Sequence, residues 1–232
     1  MTHSYVAMHM SDGIVNAPTS VVFGVVAVAV VALCAAKARN ELDERTVPLA
    51  GLVAAFIFAV QMINFPILPG VSGHLLGGAL AAILVGPYTG ALCIAIVLVV
   101  QALLFADGGV TALGTNIVNM AVIGVAAGYG TAVLLYSVAR RRRDVPVAGL
   151  GVIAFVAALI GTICAAMGFV VEYAIGGAAT TSLGAVTGYM LGTHALIGVG
   201  EGVITAVTVV AVARSRPDLV YLLRRSRREV AA

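Results

Sequence analysis

Long apolar runs, broken by short polar stretches, are the feature that most constrains how this chain can fold. Of its 232 residues, 61% are hydrophobic and only 10% are charged, whereas a water-soluble domain carries about 25% charged residues. Such a chain has too few polar side chains to cover itself in water. It is therefore predicted to be an all-α, polytopic integral membrane protein that forms one domain.

Seven apolar segments are each predicted to cross the membrane, because a spanning helix needs about 20 mostly apolar residues. Their limits are residues 21–36, 47–68, 74–85, 88–105, 113–138, 145–171 and 194–213. The third is short, and Pro87 predicts a tight turn between it and the fourth, since proline breaks a continuous helix. The stretch 174–191, which is rich in Gly, Ala and Thr, is interpreted as a loop, a re-entrant segment or a helical extension.

The positive charges predict the orientation of the chain. All 13 Lys and Arg residues fall within residues 37–45, 140–143 and 214–228, and seven spans place these three groups on one side. Because Lys and Arg accumulate on the cytoplasmic side, the N-terminus is predicted outside and the C-terminus in the cytoplasm, whereas six spans would scatter the charges over both faces. Residues 215–232 then form a basic cytoplasmic tail at the lipid head groups of the cell membrane, and not a nucleic-acid-binding patch.

Histidines and acids are predicted to gather on the outer half of the protein, where no Lys or Arg lies. An anionic, imidazole-rich face suits a cation, and imidazole is a ligand for Ni, Co, Cu and Zn. Two histidines with Asp and Asn nearby cannot complete a four-ligand zinc cage, so a further ligand such as an N-terminal amine is needed. The residues in question are His3, His9, Asp12, His74, Asp107, Asn116, Asn119, Glu172 and His194.

A histidine at position two of a chain offers an unusual ligand set. Its Nδ1, its own backbone nitrogen and the terminal amine can close two chelate rings on one ion, and a second imidazole completes four nitrogens. Four nitrogens in a plane are typical of Ni(II) or Cu(II). For His9 this set requires a chain that begins at Met8. The competing interpretation is His3, which follows Met1 and Thr2 and would bind Cu(II) or Ni(II) in a flexible tail.

Four stretches of the chain resemble the CbiM/NikM family. They read MHMSDGIVNAP at residues 8–18, QMINFPILPGVSGHLLGGALAAILVGPYTGAL at 61–92, VQALLFADGGVTALGTNIVNMAVIG at 100–124 and HALIGVGEG at 194–202. The resemblance implies a seven-helix membrane core over residues 8–214. It also implies a role as the substrate-capture component of an energy-coupling-factor transporter for cobalt or nickel, in the context of cobalamin biosynthesis.

The resemblance further implies a ligand set for the ion. It consists of the terminal amine of Met8, the backbone and ring nitrogens of His9, and the ring of His74, which precedes the third helix. Residues 1–7 precede the start that this set requires. They are therefore predicted to be a non-native extension that results from a mis-set start codon; the alternatives are removal of residues 1–7 or a changed coordination of the ion.

Four other polar side chains are predicted to support the metal ligands. Asp12 is expected to cap a helix or to clamp the N-terminal segment, because a carboxylate is favourable at a helix N-terminus. Asn64, Asn116 and Asn119 are expected to anchor loops or to hydrogen-bond the N-terminal segment, as groups around a metal commonly do.

His194 and Glu201 are predicted to lie on one face of the last span, because they are seven residues apart. Glu201 is the only acid well inside a predicted span, and an intramembrane carboxylate usually faces the interior of a bundle. It is expected to hydrogen-bond across helices or to line the route of the ion.

The sequence contains no phosphate-binding G-x-x-x-x-G-K-[ST] loop, so the protein is predicted not to be an enzyme. ATP hydrolysis is expected on separate ATPase subunits, with a membrane coupling subunit and, optionally, a small accessory membrane subunit as further partners. Co²⁺ or Ni²⁺ is expected as the transported substrate, with no tightly bound organic cofactor.

Two other classes of function fit the sequence less well than a capture subunit. A stand-alone divalent metal permease or channel would need a file of acids or carbonyls through the membrane, which the spans lack apart from Glu201. An intramembrane hydrolase is disfavoured, because the G-x-S-x-G motif is missing and neither Ser137 nor Ser182 has an evident partner.

Overall fold

A computed structural model describes residues 9–63, 65–68, 71–142, 144–178 and 181–225, and within these ranges the chain is almost entirely helical. The helices are α1 (Ala17–Ala38), α2 (Thr46–Gln61), α3 (Gly78–Val85), α4 (Pro87–Leu104), α5 (Leu113–Asn116), α6 (Val125–Arg140), α7 (Val147–Gly176) and α8 (Leu183–Ser215). A π-helical segment (Ile117–Gly124) joins α5 to α6 in one continuous rod, and a 3-10 turn (Pro217–Leu219) follows α8. Strands β1 (Phe65–Leu68) and β2 (Val71–Gly73) form an antiparallel hairpin.

Five helical stretches are long and apolar enough to cross a membrane: α1, α4, the rod from α5 to α6, α7 and α8. The chain is thus a multi-pass membrane protein. Helix α2 has 16 residues and α3 has 8, which gives lengths of about 24 and 12 Å against a hydrocarbon core of about 30 Å. These two shorter helices account for the difference between the five candidates and the seven predicted spans.

The second predicted span, residues 47–68, ends earlier than expected. Helix α2 stops at Gln61, and the last residues of the predicted span form β1 instead. Pro66 lies in this stretch, and a proline cannot continue a helix because its ring removes the N–H and clashes with the preceding turn. The all-α prediction is therefore confirmed for the bundle, with this hairpin as the exception.

Helix α3 is the centre of the bundle. All eight of its residues are buried, and it packs against α2, α4, α6 and α7. Such burial is expected of a helix that is apolar on every side. Helix α1, by contrast, exposes Val21, Val25 and Val28 on its outer surface, as a helix that faces lipid would.

One end of the bundle, called the basic end here, collects the arginines. The Arg224 guanidinium lies 3.2 Å from the Asp43 carboxylate, and Arg225 donates to the Tyr129 hydroxyl at 3.4 Å. These contacts bring together the loop between α1 and α2, helix α6 and the segment that follows α8. The opposite end carries His9, and we call it the histidine end.

The segment after α8 packs back onto the basic end. Val220 and Leu222 are 0% and 3% exposed, and the Tyr221 ring lies 6.2 Å from that of Tyr129. In the basic tail predicted at 215–232, the residues up to 225 therefore belong to the packed structure. Residues 226–232 lie outside the described ranges.

Helices α7 and α8 both extend beyond the spans predicted for them. Helix α7 continues past residue 171 to Gly176 and so includes Glu172 as a second acid, near the end of a long helix. Helix α8 begins at Leu183, where the Ser182 side chain accepts the N–H of Ala185 at 3.3 Å. Much of the stretch 174–191 is therefore a helical extension, one of the three interpretations left open.

Candidate metal centre

The chain enters the bundle through a non-helical segment, residues 9–16, which we call the N-terminal strap. Its backbone is paired on two sides: the N–H of Gly109 donates to the carbonyl of Met10 at 3.0 Å, and the N–H of Asn16 donates to the carbonyl of Gly176 at 2.7 Å. Two of its own residues, Met10 and Val15, are buried, with 4% and 5% of their surface exposed. The strap is therefore held between the loop 105–112 and the end of α7.

Two polar side chains fasten the strap further. The Asn116 side chain accepts the Met10 N–H at 2.9 Å and donates to the Met10 carbonyl at 3.1 Å. The Asp12 carboxylate accepts the Thr111 N–H at 2.8 Å and the Thr111 hydroxyl. These bonds from Thr111 hold the pKa of Asp12 below its usual value, despite the opposing effect of burial. Asn116 and Asp12 thus occupy positions that suit the clamping roles predicted for them.

The strap places His9 against His74. Their ring centroids are 4.5 Å apart with an interplanar angle of 41°, and the residues are 5% and 6% exposed. Gly108 allows this approach: it has φ +89°, and a Cβ there would lie 2.9 Å from the Cβ of His9. Two histidines that are 65 positions apart in the sequence therefore form one buried pair.

In each ring, the Nδ1 atom lies within hydrogen-bond distance of an oxygen acceptor that orients the ring. The Nδ1 of His9 lies 3.2 Å from Asp107 Oδ1, and that of His74 lies 2.9 Å from the Leu75 carbonyl. Because both partners accept hydrogen bonds, we assign the proton to Nδ1 and the lone pair to Nε2 in both rings. The Nε2 atom of His9 is buried without a hydrogen-bond partner among the described residues.

Burial also keeps the His74 ring neutral. The residue is only 6% exposed, and removal from water disfavours the charged form of an imidazole. A neutral imidazole is the form that binds metals. The pair therefore combines nitrogen donors with the Asp107 carboxylate behind one of them, an arrangement common for metal-binding histidines.

The other predicted site residues lie elsewhere. Asn119 does not touch the strap; it donates to the Glu172 carboxylate at 2.7 Å. His194 lies within α8 and not at its start, with its Nδ1 2.8 Å from the carbonyl of Met190 in the same helix. Glu201 hydrogen-bonds across helices, to the backbone N–H groups of Leu76 and Gly77. The described residues do not include the predicted ligand Met8, the predicted supporting residue Asn64 or the competing candidate His3.

Asp107 was predicted on the outer face with no role of its own. In the structure its carboxylate lies next to the Nδ1 of His9. The available signal was an acid followed by two glycines in a short polar loop. Nowhere in the described ranges do three or more His, Cys, Asp or Glu side chains group so as to hold a metal ion. The described donors at this site are thus the two imidazoles, with Asp107 in support.

Comparisons with known proteins agree with this architecture. The model of a family described as CbiM, cobalt uptake substrate-specific transmembrane region, matches residues 9–219. A relative named NikMN from Archaeoglobus fulgidus is 42% identical over 217 residues, which are 92% of this chain and 68% of the relative. The fused nickel transport protein NikMN of Rhodobacter capsulatus is 35% identical over 91% of this chain and 63% of its own length. A crystal structure of a transition metal transporter superposes with a TM-score of 0.79 at 28% identity, and the match covers 89% of this chain and 93% of that one.

Proposed function

The chain belongs to the CbiM family of cobalt and nickel transport proteins of the membrane, and from that premise we propose that it is the substrate-capture subunit of an ATP-driven importer of the energy-coupling-factor type. It captures Co²⁺ or Ni²⁺ at the histidine end and delivers the ion to the transport complex. It does no catalysis itself, and ATP is hydrolysed on a partner.

The observation that carries this proposal is the buried pair of His9 and His74. Both rings are nitrogen donors 4.5 Å apart, and the Nε2 of His9 has no described partner in a place closed to water. An unpaired buried polar atom is costly, so the described residues alone do not satisfy the pair. Cobalt and nickel accept imidazole ligands readily.

Further ligands come from the start of the chain. We propose the amine of Met8 together with the backbone nitrogen and the Nδ1 of His9, and the His74 ring completes four nitrogens. A chelate through Nδ1 requires His9 to release Asp107, which lies 3.2 Å from that atom. The ligand set also requires the metal-binding chain to begin at Met8. Intact mass of the metal-loaded native protein tests the requirement, and a mass that retains residues 1–7 contradicts it.

The binding test is a spectrum of the protein produced with Met8 as its first residue. Loading with nickel sulfate is expected to give one ion per chain and, with four planar nitrogens, a diamagnetic site with a planar d–d band. A paramagnetic, octahedral spectrum would contradict the proposed ligand set. Nickel that binds equally well when both histidines are replaced by alanine would contradict the site itself.

We also propose seven membrane crossings, with α2 and α3 as the two short ones, an outer N-terminus and a cytoplasmic C-terminus. The support is the positive-inside rule together with two observations. Arg224 contacts Asp43 in the loop after α1, and Arg214 lines a cavity together with Ala148, which lies shortly after the 140–143 group. Single cysteines at Asp12 and Glu44, labelled from one side of the membrane, test the orientation. Labelling of position 44 from outside would contradict it.

Transport requires partners in this proposal: a membrane coupling subunit and ATPase subunits, with a small accessory membrane subunit as an optional further partner. Reconstitution in vesicles tests this requirement directly. Metal uptake is expected only when the coupling and ATPase subunits and ATP are present. Uptake by this chain alone would identify it as a stand-alone permease or channel.

A further inference from the structure

Glu201 is a buried carboxylate whose partners come from two other parts of the chain. It lies in the middle of α8 and is 3% exposed. Its Oε2 accepts the N–H of Leu76 at 2.8 Å and the hydroxyl of Thr162 at 2.9 Å, and its Oε1 accepts the N–H of Gly77 at 3.0 Å. Both oxygens are therefore acceptors, which is the pattern that fits an ionised carboxylate.

The two backbone donors immediately follow His74. Leu76 and Gly77 belong to the non-helical segment 74–77 that links β2 to α3, and Gly77 has φ +81°, a conformation open to glycine. On its other side, the same segment is held by Gln61, whose side chain donates to the Leu76 carbonyl at 2.8 Å. The backbone that carries His74 is thus fixed by one side chain from α2 and one from α8.

An ionised side chain is an expensive way to make these bonds. A charge inside a membrane protein costs several kcal/mol unless an opposite charge is near, and the three described partners of Glu201 are all neutral groups. A divalent ion at His74 would supply the missing positive charge. With Asp107 behind His9, each histidine of the pair then has one carboxylate in support.

We infer that Glu201 is a positioning residue for the metal centre: it fixes the backbone that presents His74 and balances the charge of the bound ion. The inference rests on the proposed function, since it assumes that His74 binds the metal. It makes α8 part of the site, although none of its side chains need touch the ion.

The test compares Glu201→Gln with Glu172→Gln in the full chain, purified in detergent. Glu172 is a matched control because it is also a buried helix carboxylate, but its described hydrogen-bond partner is the Asn119 side chain and not the backbone of segment 74–77. Nickel affinity is measured by competition with a chelator, and backbone hydrogen exchange is followed in the metal-free proteins.

Glu201→Gln is expected to weaken nickel binding about 10- to 100-fold, the usual cost of losing a group that orients a metal ligand, and to speed hydrogen exchange in residues 74–77. Glu172→Gln is expected to stay within about twofold of the unaltered protein in affinity. Wild-type affinity in Glu201→Gln, unchanged exchange in 74–77, or an equal loss in Glu172→Gln would overturn the inference.

Two further variants keep the test decisive. If Glu201→Gln does not fold, Thr162→Val removes one donor from the same carboxylate and is expected to weaken binding in the same direction by a smaller factor; no change would overturn the inference. His74→Ala separates the two levels of the argument. Nickel that binds His74→Ala as tightly as the unaltered protein refutes the proposed centre, whereas loss in His74→Ala with normal binding in Glu201→Gln refutes only the role of Glu201.

Discussion

The two ends of the bundle use the same device, a carboxylate from a distant element that accepts N–H groups at the start of a buried helix. At the basic end, Glu41 accepts the N–H of Tyr88 at 3.3 Å and that of Thr89 at 2.7 Å, at the beginning of α4. At the histidine end, Glu201 does the same for Leu76 and Gly77, just before α3. Free N–H groups at helix starts need such partners.

The surroundings of the two carboxylates differ. Arg224 is close enough to Glu41 to favour its charge, although burial is the larger effect and raises the pKa of Glu41. The described partners of Glu201 are neutral, and the segment it holds carries His74. The two hydrogen bonds of Glu41 to the start of α4 are sufficient to explain why it is buried there. For Glu201, the proposed metal ion at His74 gives a second reason to be charged. The comparison therefore separates a contact that serves stability from one that also serves binding.

The largest expected effect is at the histidine end. His74→Ala should weaken nickel binding by more than about 100-fold, because it removes a direct ligand and not only a supporting group. Arg224→Ala, at the basic end, should leave the affinity within about twofold. Both are measured by chelator competition, and equal losses in the two variants would erase the distinction between the ends.

The next effect should appear at the basic end and in stability alone. Glu41→Ala leaves two N–H groups of α4 without their acceptor and is expected to lower the free energy of unfolding by about 1–3 kcal/mol, with nickel affinity unchanged. Denaturation in detergent measures the loss, and Glu44→Ala is the control because Glu44 is exposed in the same loop. A fall in nickel affinity in Glu41→Ala would show that this cap, too, serves the site.

Asp107→Asn sharpens the account of the histidine end. If the metal binds the Nε2 of His9, losing the carboxylate behind Nδ1 should weaken nickel binding about 10-fold. The resemblance to the CbiM/NikM family implies instead a chelate through Nδ1, which would have to displace Asp107 from its position 3.2 Å away. Affinity that is unchanged or higher in Asp107→Asn would therefore favour the chelate.

The smallest effect concerns pH, and the two ends should respond in opposite directions. The pKa of Asp12 is lowered by its bonds from Thr111, so its stabilisation is present above the ordinary value of 3.8 and is lost as pH falls through the lower folded value. The pKa of Glu41 is raised by burial, so its contribution is present below 4.5 and is lost as pH rises through the higher folded value.

Hydrogen exchange, corrected for the intrinsic effect of pH, measures both responses. Acid should speed exchange in the strap, and Asp12→Asn should abolish that dependence. Exchange at the start of α4 should slow in acid, and Glu41→Gln should flatten the change. A strap that opens in acid just as readily in Asp12→Asn would show that another group controls it.

The apolar pattern was sufficient to predict most helices, because lipid-facing and core residues are both apolar over long stretches. The ends of those helices were harder to predict. The sixth span was predicted to end at residue 171 because the charge of Glu172 marks a boundary in a hydropathy profile, yet α7 continues past Glu172, which Asn119 partners within the bundle. Because the Asn119 side chain makes this bond to Glu172, it is not available for the predicted hydrogen bond to the strap. Contacts between residues 53 positions apart leave no local signal.

Other features did leave signals. Ser182 before Leu183 is a typical N-cap pattern that could have located the start of α8. The glycines that follow it have low helix propensity and therefore argued against a helix there. The pairing of His9 with His74 was implied by family resemblance and not by spacing alone. The π-helical segment has no such sequence mark, since its extra residue per turn is set by packing against α4 and α7.

The strap has a consequence for the order in which the protein is made. Residues 9–16 leave the ribosome before every group that holds them: Asp107 and Asn116 follow about 100 residues later, and Gly176 later still. At a synthesis rate of about 5–20 residues per second, the strap waits for several seconds without its partners. In the proposed function, a metal centre built on the strap needs the end of α7 in place, so loading with the ion must follow the synthesis of that helix.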